Sequence, residues 1–203
     1  MDQRRDASKE QARRVMIATG NPGKQDVMRN LLASVGYSGV SPRESGISVP
    51  DIREDGFSPE ENALIKARAY AGLTDLPVFA ADSGMEIDAL GGRPGVMVRR
   101  WNGELPDDVG DEEWLVHFLR KTKGIPPEKR TGRFVTAWAV VRDGREFTRR
   151  VLREFRFSTE PVRNMIPGFP MSAVIFDHDA ADAMETIWLP AFIRWIRDED
   201  VFG

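Results

Sequence analysis

The 203-residue chain predicts an α/β fold. Short apolar runs such as Val15–Ala18 and Pro77–Ala81 alternate with stretches whose apolar residues recur at helical spacing, and glycine or proline stands at each boundary. With 41% hydrophobic and 30% charged residues, the chain has the apolar material for one ordinary domain or two small lobes sharing a core.

The elements follow in order. Val15–Ala18 is expected as a short buried strand, followed by the turn Thr19-Gly20-Asn21-Pro22-Gly23. A helix is expected from near Lys24, with Val27, Leu31, Leu32 and Val35 spaced for one face and Gly36 as its stop. The Ser-, Pro- and Gly-rich stretch 37–57 predicts an edge strand around Ile47–Val49. Ser58-Pro59-Glu60-Glu61 carries a serine N-cap, a proline at the first helical position and a glutamate three residues on, which predicts a helix from Pro59 to Ala71. Pro77–Ala81 is expected as a second buried strand, broken at Asp82-Ser83-Gly84, and Gly91-Gly92-Arg93-Pro94-Gly95 as an irregular loop. Glu112–Lys121 predicts an amphipathic helix, and Phe134–Val141 and Phe147–Phe157 predict two strands joined at Asp143-Gly144. The tail is expected to end in a helix carrying Trp188, Phe192, Trp195 and Ile196.

Composition excludes several chemistries. A net charge of −3 argues against a nucleic-acid coat or a polybasic membrane binder. The absence of cysteine excludes disulfides, thiolate metal sites and a thiol nucleophile, and the two histidines, His117 and His178, leave no multi-histidine metal centre. Both histidines read as structural or solvated. Residues 1–14 read as a solvated extension of mixed charge with no secretory core, which makes the cytoplasm the expected compartment. Catalysis then falls to carboxylates, lysines, hydroxyls and a hard cation held by oxygen.

Three segments carry that chemistry. Thr19-Gly20-Asn21-Pro22-Gly23-Lys24 joins a strand to a helix N-terminus, where free N–H groups and the helix dipole favour an anion and Lys24 adds a charge for a phosphate. The spacing is not that of a Walker A loop, and the same glycines also suit an ordinary strand-to-helix turn. An acidic group follows: Glu54, Asp55, Glu60 and Glu61 before the second helix, and Asp82, Glu86 and Asp88 after the second strand, of the kind that holds Mg²⁺ with substrate phosphates. Glu60 also suits the helix dipole, and Asp82 a turn. Asn62 and Lys66, four apart on the helix, point the same way toward a ligand. The third segment, Leu90–Val96 followed by Arg99-Arg100-Trp101-Asn102-Gly103, offers Arg100 to a phosphate or carboxylate.

Taken together, Ala18–Lys24, Gly56-Phe57-Ser58, Glu61–Arg68, Ala81–Leu90 and Gly91–Gly95 stand in the order and spacing of a known family. Over roughly residues 15–104 the chain resembles the inosine triphosphate pyrophosphatase (Ham1-like) family, which hydrolyses aberrant purine nucleoside triphosphates to the monophosphate and pyrophosphate. The resemblance implies an elongated mixed β-sheet with two α/β lobes over residues 15–203 and a nucleotide cleft between them. It also implies Mg²⁺ as cofactor, a nucleoside triphosphate such as ITP, dITP or XTP as substrate, and a homodimer. By similarity Thr19, Asn21 and Lys24 hold the triphosphate, Lys66 reaches it from the helix and Ser83 contacts the substrate; Gly20, Asn62, Gly84, Arg100 and Phe169 are expected to join them in binding it. Glu54 and Asp82 hold the metal, Asp82 activates water, and Lys24 and Lys66 serve catalysis by neutralising charge.

The chain also departs from the family pattern. Where the family has two adjacent acids before Ser-Gly, the first position is Ala81. The base-binding Gly-Phe-Gly-Tyr-Asp-Pro loop is replaced by Gly168-Phe169-Pro170-Met171-Ser172-Ala173, with Phe169 or Trp188 as substitutes. The C-terminal Ser-His-Arg signature has no counterpart, Arg194 being the one nearby cation for a base contact, and no lysine follows Lys129. A retained phosphate half and an altered base half imply a changed base preference. A catalytically silent nucleotide-binding protein on the same fold, and a phosphohydrolase for another nucleotide, are the alternatives.

Overall fold

A computed structural model describes residues 13–48, 50–176 and 183–203. The N-terminal extension up to residue 12, His178 and Val49 lie outside the described residues. Among the described residues, the regular elements run in the order β1 (Arg14–Ile17), α1 (Pro22–Ser34), β2 (Ser38–Val40), α2 (Pro59–Ala71), β3 (Val78–Ile87), β4 (Pro94–Gly95), α3 (Asp111–Thr122), β5 (Thr131–Arg142), β6 (Arg145–Arg156) and α4 (Leu189–Glu199), with short 3₁₀ turns and a π-helical turn between them. The six strands form one mixed sheet in the order β2-β1-β3-β5-β6, with β4 paired to β3. Strand β1 runs parallel to β2 and β3, whereas β4 is antiparallel to β3. Asp143 and Gly144 both take positive φ, the geometry of a two-residue hairpin turn, and join β5 to β6.

Two sequence expectations are corrected here. The edge strand lies at Ser38–Val40, and Ile47 and Ser48 of the expected stretch are in no strand, because Gly39 and Val40 pair with Val15 and Met16 while Pro42–Gly46 forms a turn. Strand β3 does not break at Asp82-Ser83-Gly84 but runs on to Ile87, so Asp82 is a strand residue and not a turn former. Serine and glycine there cost strand propensity, but pairing of Met85 and Glu86 with Gly95 and Pro94 extends the ladder.

The chain divides into two compact units. One takes the chain through Asp82, Thr136–Val151 and Met184–Gly203; the other takes Ser83–Val135 and Leu152–Ala183. In the first unit, side chains alternate across the sheet. Val15, Ile17, Phe79, Trp138 and Val140 pack on Met28, Leu31 and Leu32 of α1 and on Phe192 and Trp195 of α4. Met16, Ala18, Val78, Ala80, Ala137 and Ala139 face Ala63, Ala67 and Tyr70 of α2. Strands covered on both faces read as continuous apolar runs, which is why they stood out in the sequence. The alanines on the α2 face let that helix approach the sheet closely. In the second unit Met85, Ile87, Trp101, Trp114, Phe118, Phe155 and Phe157 form a separate aromatic-rich core. His117, read from the sequence as structural or solvated, is buried there on α3 with its Nδ1 2.9 Å from Arg120.

Candidate functional site

Strand parity sets the site. Asp82 shares the face of Val78 and Ala80, so its carboxylate points at α2, and it is buried at 7% exposure. Lys66 and Asn62, one turn apart on α2, are buried at 7% and 5% and meet it there. Lys66 Nζ donates to Asp82 Oδ1 at 2.7 Å and to Glu54 Oε2 at 2.8 Å. Asn62 Nδ2 donates to Asp82 Oδ2 at 3.3 Å, a longer contact that leaves this the more loosely held oxygen of the pair.

The loop carrying Glu54 is fixed by the helix start. Asn62 Oδ1 accepts from the Gly56 backbone N–H at 2.8 Å, and Glu61 Oε2 accepts from the Phe57 N–H at 2.6 Å. Ser58 Oγ accepts from the Glu61 N–H at 3.2 Å, so the predicted N-cap is present. Gly56 is needed for its closeness: a Cβ there would stand 2.7 Å from Asn62 Oδ1 and 2.7 Å from Glu61 Cβ. Asn62 therefore ties the Glu54 loop to Asp82, a role the sequence did not suggest; the glycine six residues before an asparagine-bearing helix face was the available signal.

The turn after β1 is partly self-satisfied. Thr19 Oγ1 accepts from the Asn21 N–H, and Asn21 Oδ1 caps α1 by accepting from the Lys24 N–H, both at 3.2 Å. Pro22 has no N–H and Gln25 N–H is taken by Asn21 O, which leaves Gly23 N–H as the open donor of the first turn. Gly20 is exposed beside it. Surrounding protein, then the Lys66 ammonium, lower the Lys24 pKa from its usual value, while Asp82 and Glu54 pull it back up. Lys24 nonetheless keeps an exposed side chain, so the crowding belongs to an open site and not a closed one. Its charge is thus felt together with those of Lys66, Asp82 and Glu54.

Of the remaining expected residues, Ser83, Gly84, Arg100 and Phe169 belong to the second unit and Trp188 to the first. Ser83 follows Asp82 in β3 with its side chain exposed, and Gly84 is buried. Arg100 is exposed and paired with Asp107 at 3.2 Å. Phe169 is exposed, just before the 3₁₀ turn Pro170–Ala173, and Asp111 Oδ2 accepts from the neighbouring Gly168 N–H at 2.6 Å. Trp188 packs against the core of the first unit. Glu86 and Asp88 are engaged by Arg133, and Asp88 also accepts from the Thr131 hydroxyl at 2.6 Å. Among the described residues no three acidic or histidine side chains stand together as a metal cluster. Ala81 packs into the opposite core, with Phe79, so the side chain at that position faces away from α2.

The donor set fits a hard cation of small protein-ligand demand. Glu54 and Asp82 supply two carboxylates, and Mg²⁺ usually takes one or two of these with water and phosphate oxygens for the rest. A buried carboxylate with a lysine pair and an anion-ready helix start suits phosphate chemistry.

Comparison with known proteins points the same way. A 127-residue stretch is 43% identical to a protein of Rhodopseudomonas palustris named dITP/XTP pyrophosphatase; it covers 63% of this chain, which spans 60% of the length of that relative. A crystal structure from Mycobacterium abscessus, titled nucleoside-triphosphatase / dITP/XTP pyrophosphatase, is 32% identical with a TM-score of 0.64, over 80% of this chain and 82% of that one. A HAM1 protein from Coxiella burnetii, 24% identical, shares the fold with a TM-score of 0.76 over 94% of this chain and 99% of its own. Residues 15–154 match the model of the Ham1 family, and the chain belongs to that family.

Proposed function

We propose that the chain hydrolyses nucleoside triphosphates to the monophosphate and pyrophosphate with Mg²⁺, acting on an aberrant purine nucleotide of the dITP or XTP kind with an altered base preference. The observation that carries this reading is the buried Asp82 carboxylate held by Lys66 and Asn62 in a chain of this family.

In this reading Thr19, the Gly20 backbone, Asn21 and Gly23 N–H receive the phosphate chain at the start of α1, and Lys24 and Lys66 neutralise its charge. Asp82 Oδ2, the less firmly held oxygen, takes the proton from the water that attacks the α-phosphorus. Lys66 orients the carboxylate through Oδ1, and Asn62 fixes its plane. Mg²⁺ held by Glu54 and Asp82 supplies further charge neutralisation when bound. Positioning and electrostatics account for most of catalysis in such transfers.

Pyrophosphate release from a panel of ordinary and deaminated nucleoside triphosphates, with Mg²⁺ and with chelator, tests the proposal beside Asp82→Asn. Metal-dependent release that vanishes in the variant supports it. Binding without release from any triphosphate favours the silent nucleotide-binding reading, which the unmatched base loop and the lysine-free stretch after Lys129 motivate. The family resemblance also implies a homodimer in the cytoplasm, for which sedimentation of the purified chain and localisation in cells are the measurements.

A further inference from the structure

We propose that Lys66 is a built-in counter-cation that bars a free divalent ion from the Glu54–Asp82 pair, so that the ion enters only together with the phosphate chain of the substrate. The inference rests on the reading of those two carboxylates as the metal-holding groups. Lys66 Nζ already bridges them at 2.8 and 2.7 Å, which places one positive charge where an incoming cation would need both negative ones. The ammonium is nearly sealed from water, its side chain 9% exposed, and its other neighbour on Asp82 is the neutral Asn62 amide. A free ion would have to displace that bridge or sit beside it, and like charges repel strongly where water is scarce. No further acid offsets the repulsion: no three-acid group exists among the described residues, and position 81 is an alanine facing the opposite core. Lys24 adds a second positive charge to the same neighbourhood.

A polyphosphate reverses the balance. Its oxygens draw on Lys66 and Lys24, the bridge loosens, and both carboxylates are released to a cation that the phosphates themselves help to hold. Ion and triphosphate then favour each other's binding by the same factor, about tenfold or more.

Electron paramagnetic resonance with Mn²⁺ as the probe reads this directly on the full chain. Without nucleotide, the unmodified protein should leave Mn²⁺ free at millimolar concentration. A triphosphate with a methylene α–β bridge should bring protein-bound Mn²⁺, and folded Lys66→Met should bind Mn²⁺ without nucleotide about tenfold or more tighter than the unmodified chain. Lys66→Arg, which keeps the charge, should still exclude it. Tight nucleotide-free binding by the unmodified chain, or no gain in folded Lys66→Met, overturns the proposal. Should Lys66→Met fail to fold, the side-chain NMR signal of Lys66 in the unmodified chain decides: it should move with Mg²⁺ and tripolyphosphate and stay with Mg²⁺ alone, and movement with Mg²⁺ alone refutes the gate. Pyrophosphate release measured in parallel separates the two readings. Release with tight nucleotide-free Mn²⁺ binding removes the gate and keeps the hydrolase, whereas no release with exclusion and a Lys66→Met gain does the opposite.

Discussion

Gly56→Ala should damage the site from outside it. The new methyl group would stand 2.7 Å from Asn62 Oδ1 and from Glu61 Cβ, and 3.1 Å from Asn62 N. Ordinary contact begins at 3.4 Å, so both side-chain approaches are violated by well over half an ångström. Overpacking of this kind costs about 1–3 kcal/mol, and loss of the Gly56–Asn62 hydrogen bond adds about 1 kcal/mol more if the amide swings away. Reduced unfolded-state freedom returns only about 0.4–1 kcal/mol to alanine. A net loss of about 1–3 kcal/mol corresponds to a Tm lowered by roughly 2–10 °C for a chain of this size. Because the same amide holds Asp82, kcat should fall with the Tm. Asn62→Ala removes the clashing oxygen and should itself cost about 1–3 kcal/mol through the partners it leaves unpaired. The double variant should lose less than the two singles combined, by about 0.5 kcal/mol or more, since the methyl group no longer has that oxygen to strike. Thermal unfolding followed by circular dichroism, with pyrophosphate release on the same samples, measures both effects. Additive losses, or a Gly56→Ala protein with unchanged Tm and kcat, would refute the link from the Glu54 loop through Asn62 to Asp82.

Three further outcomes are expected. Asp82→Asn should lower kcat about 10²-fold or more while sparing nucleotide binding, read by turnover and by calorimetry with a non-hydrolysable triphosphate; retained turnover would remove Asp82 from the base role. Lys24→Ala should raise KM for the triphosphate without altering the fold, and an unchanged KM would sink the phosphate-binding role of the first turn. The Ser41 backbone N–H, then the Arg29 guanidinium and the Ser41 hydroxyl, hold the Glu44 carboxyl down to about 2. A depressed carboxylate stabilises the fold above the unfolded value near 4.5 and loses that stabilisation as pH falls toward 2. Urea unfolding at pH 6 and pH 3 should therefore show a smaller acid loss in Glu44→Gln than in the unmodified chain, and equal losses would contradict the assignment.

What the sequence disclosed depended on how local the physics was. The second helix was legible to the residue, Pro59–Ala71, because its cap, its proline and its acidic first turn all lie within four residues. Strand β3 was cut short at Asp82 because its continuation is stabilised by β4, whose Pro94 and Gly95 stand in register with Glu86 and Met85, and no single-strand pattern contains that partner. The parallel edge strand was misplaced for a similar reason: Ser38–Val40 has only three residues, and its pairing with β1 is what makes it a strand. At the site, the identities of Lys66 and Asp82 were visible, but the bridge to Glu54 was not, since a 12-residue separation that passes from loop into helix leaves no periodic trace. Ala81 stood out in the sequence as the place of a lost acid, yet strict alternation along β3 already turns that position toward Phe79 and away from Lys66. Counting parity along the strand would have found this.

The discontinuous make-up of the first unit bears on how the chain emerges from the ribosome. Its sheet begins at Arg14, yet one face of that sheet is covered by Phe192 and Trp195, and Val201 and Phe202 are buried in the same cluster. Until Met184–Gly203 has been made, Phe79, Trp138 and Val140 lack Phe192 and Trp195 as neighbours, while the residues of the other unit have all been synthesised. Translation order and burial order therefore differ: the first helix covers part of that face early, and the rest waits for the last segment. A nascent protein built like this keeps part of an apolar sheet face open until its last residues are made, the kind of surface that ribosome-associated chaperones shield.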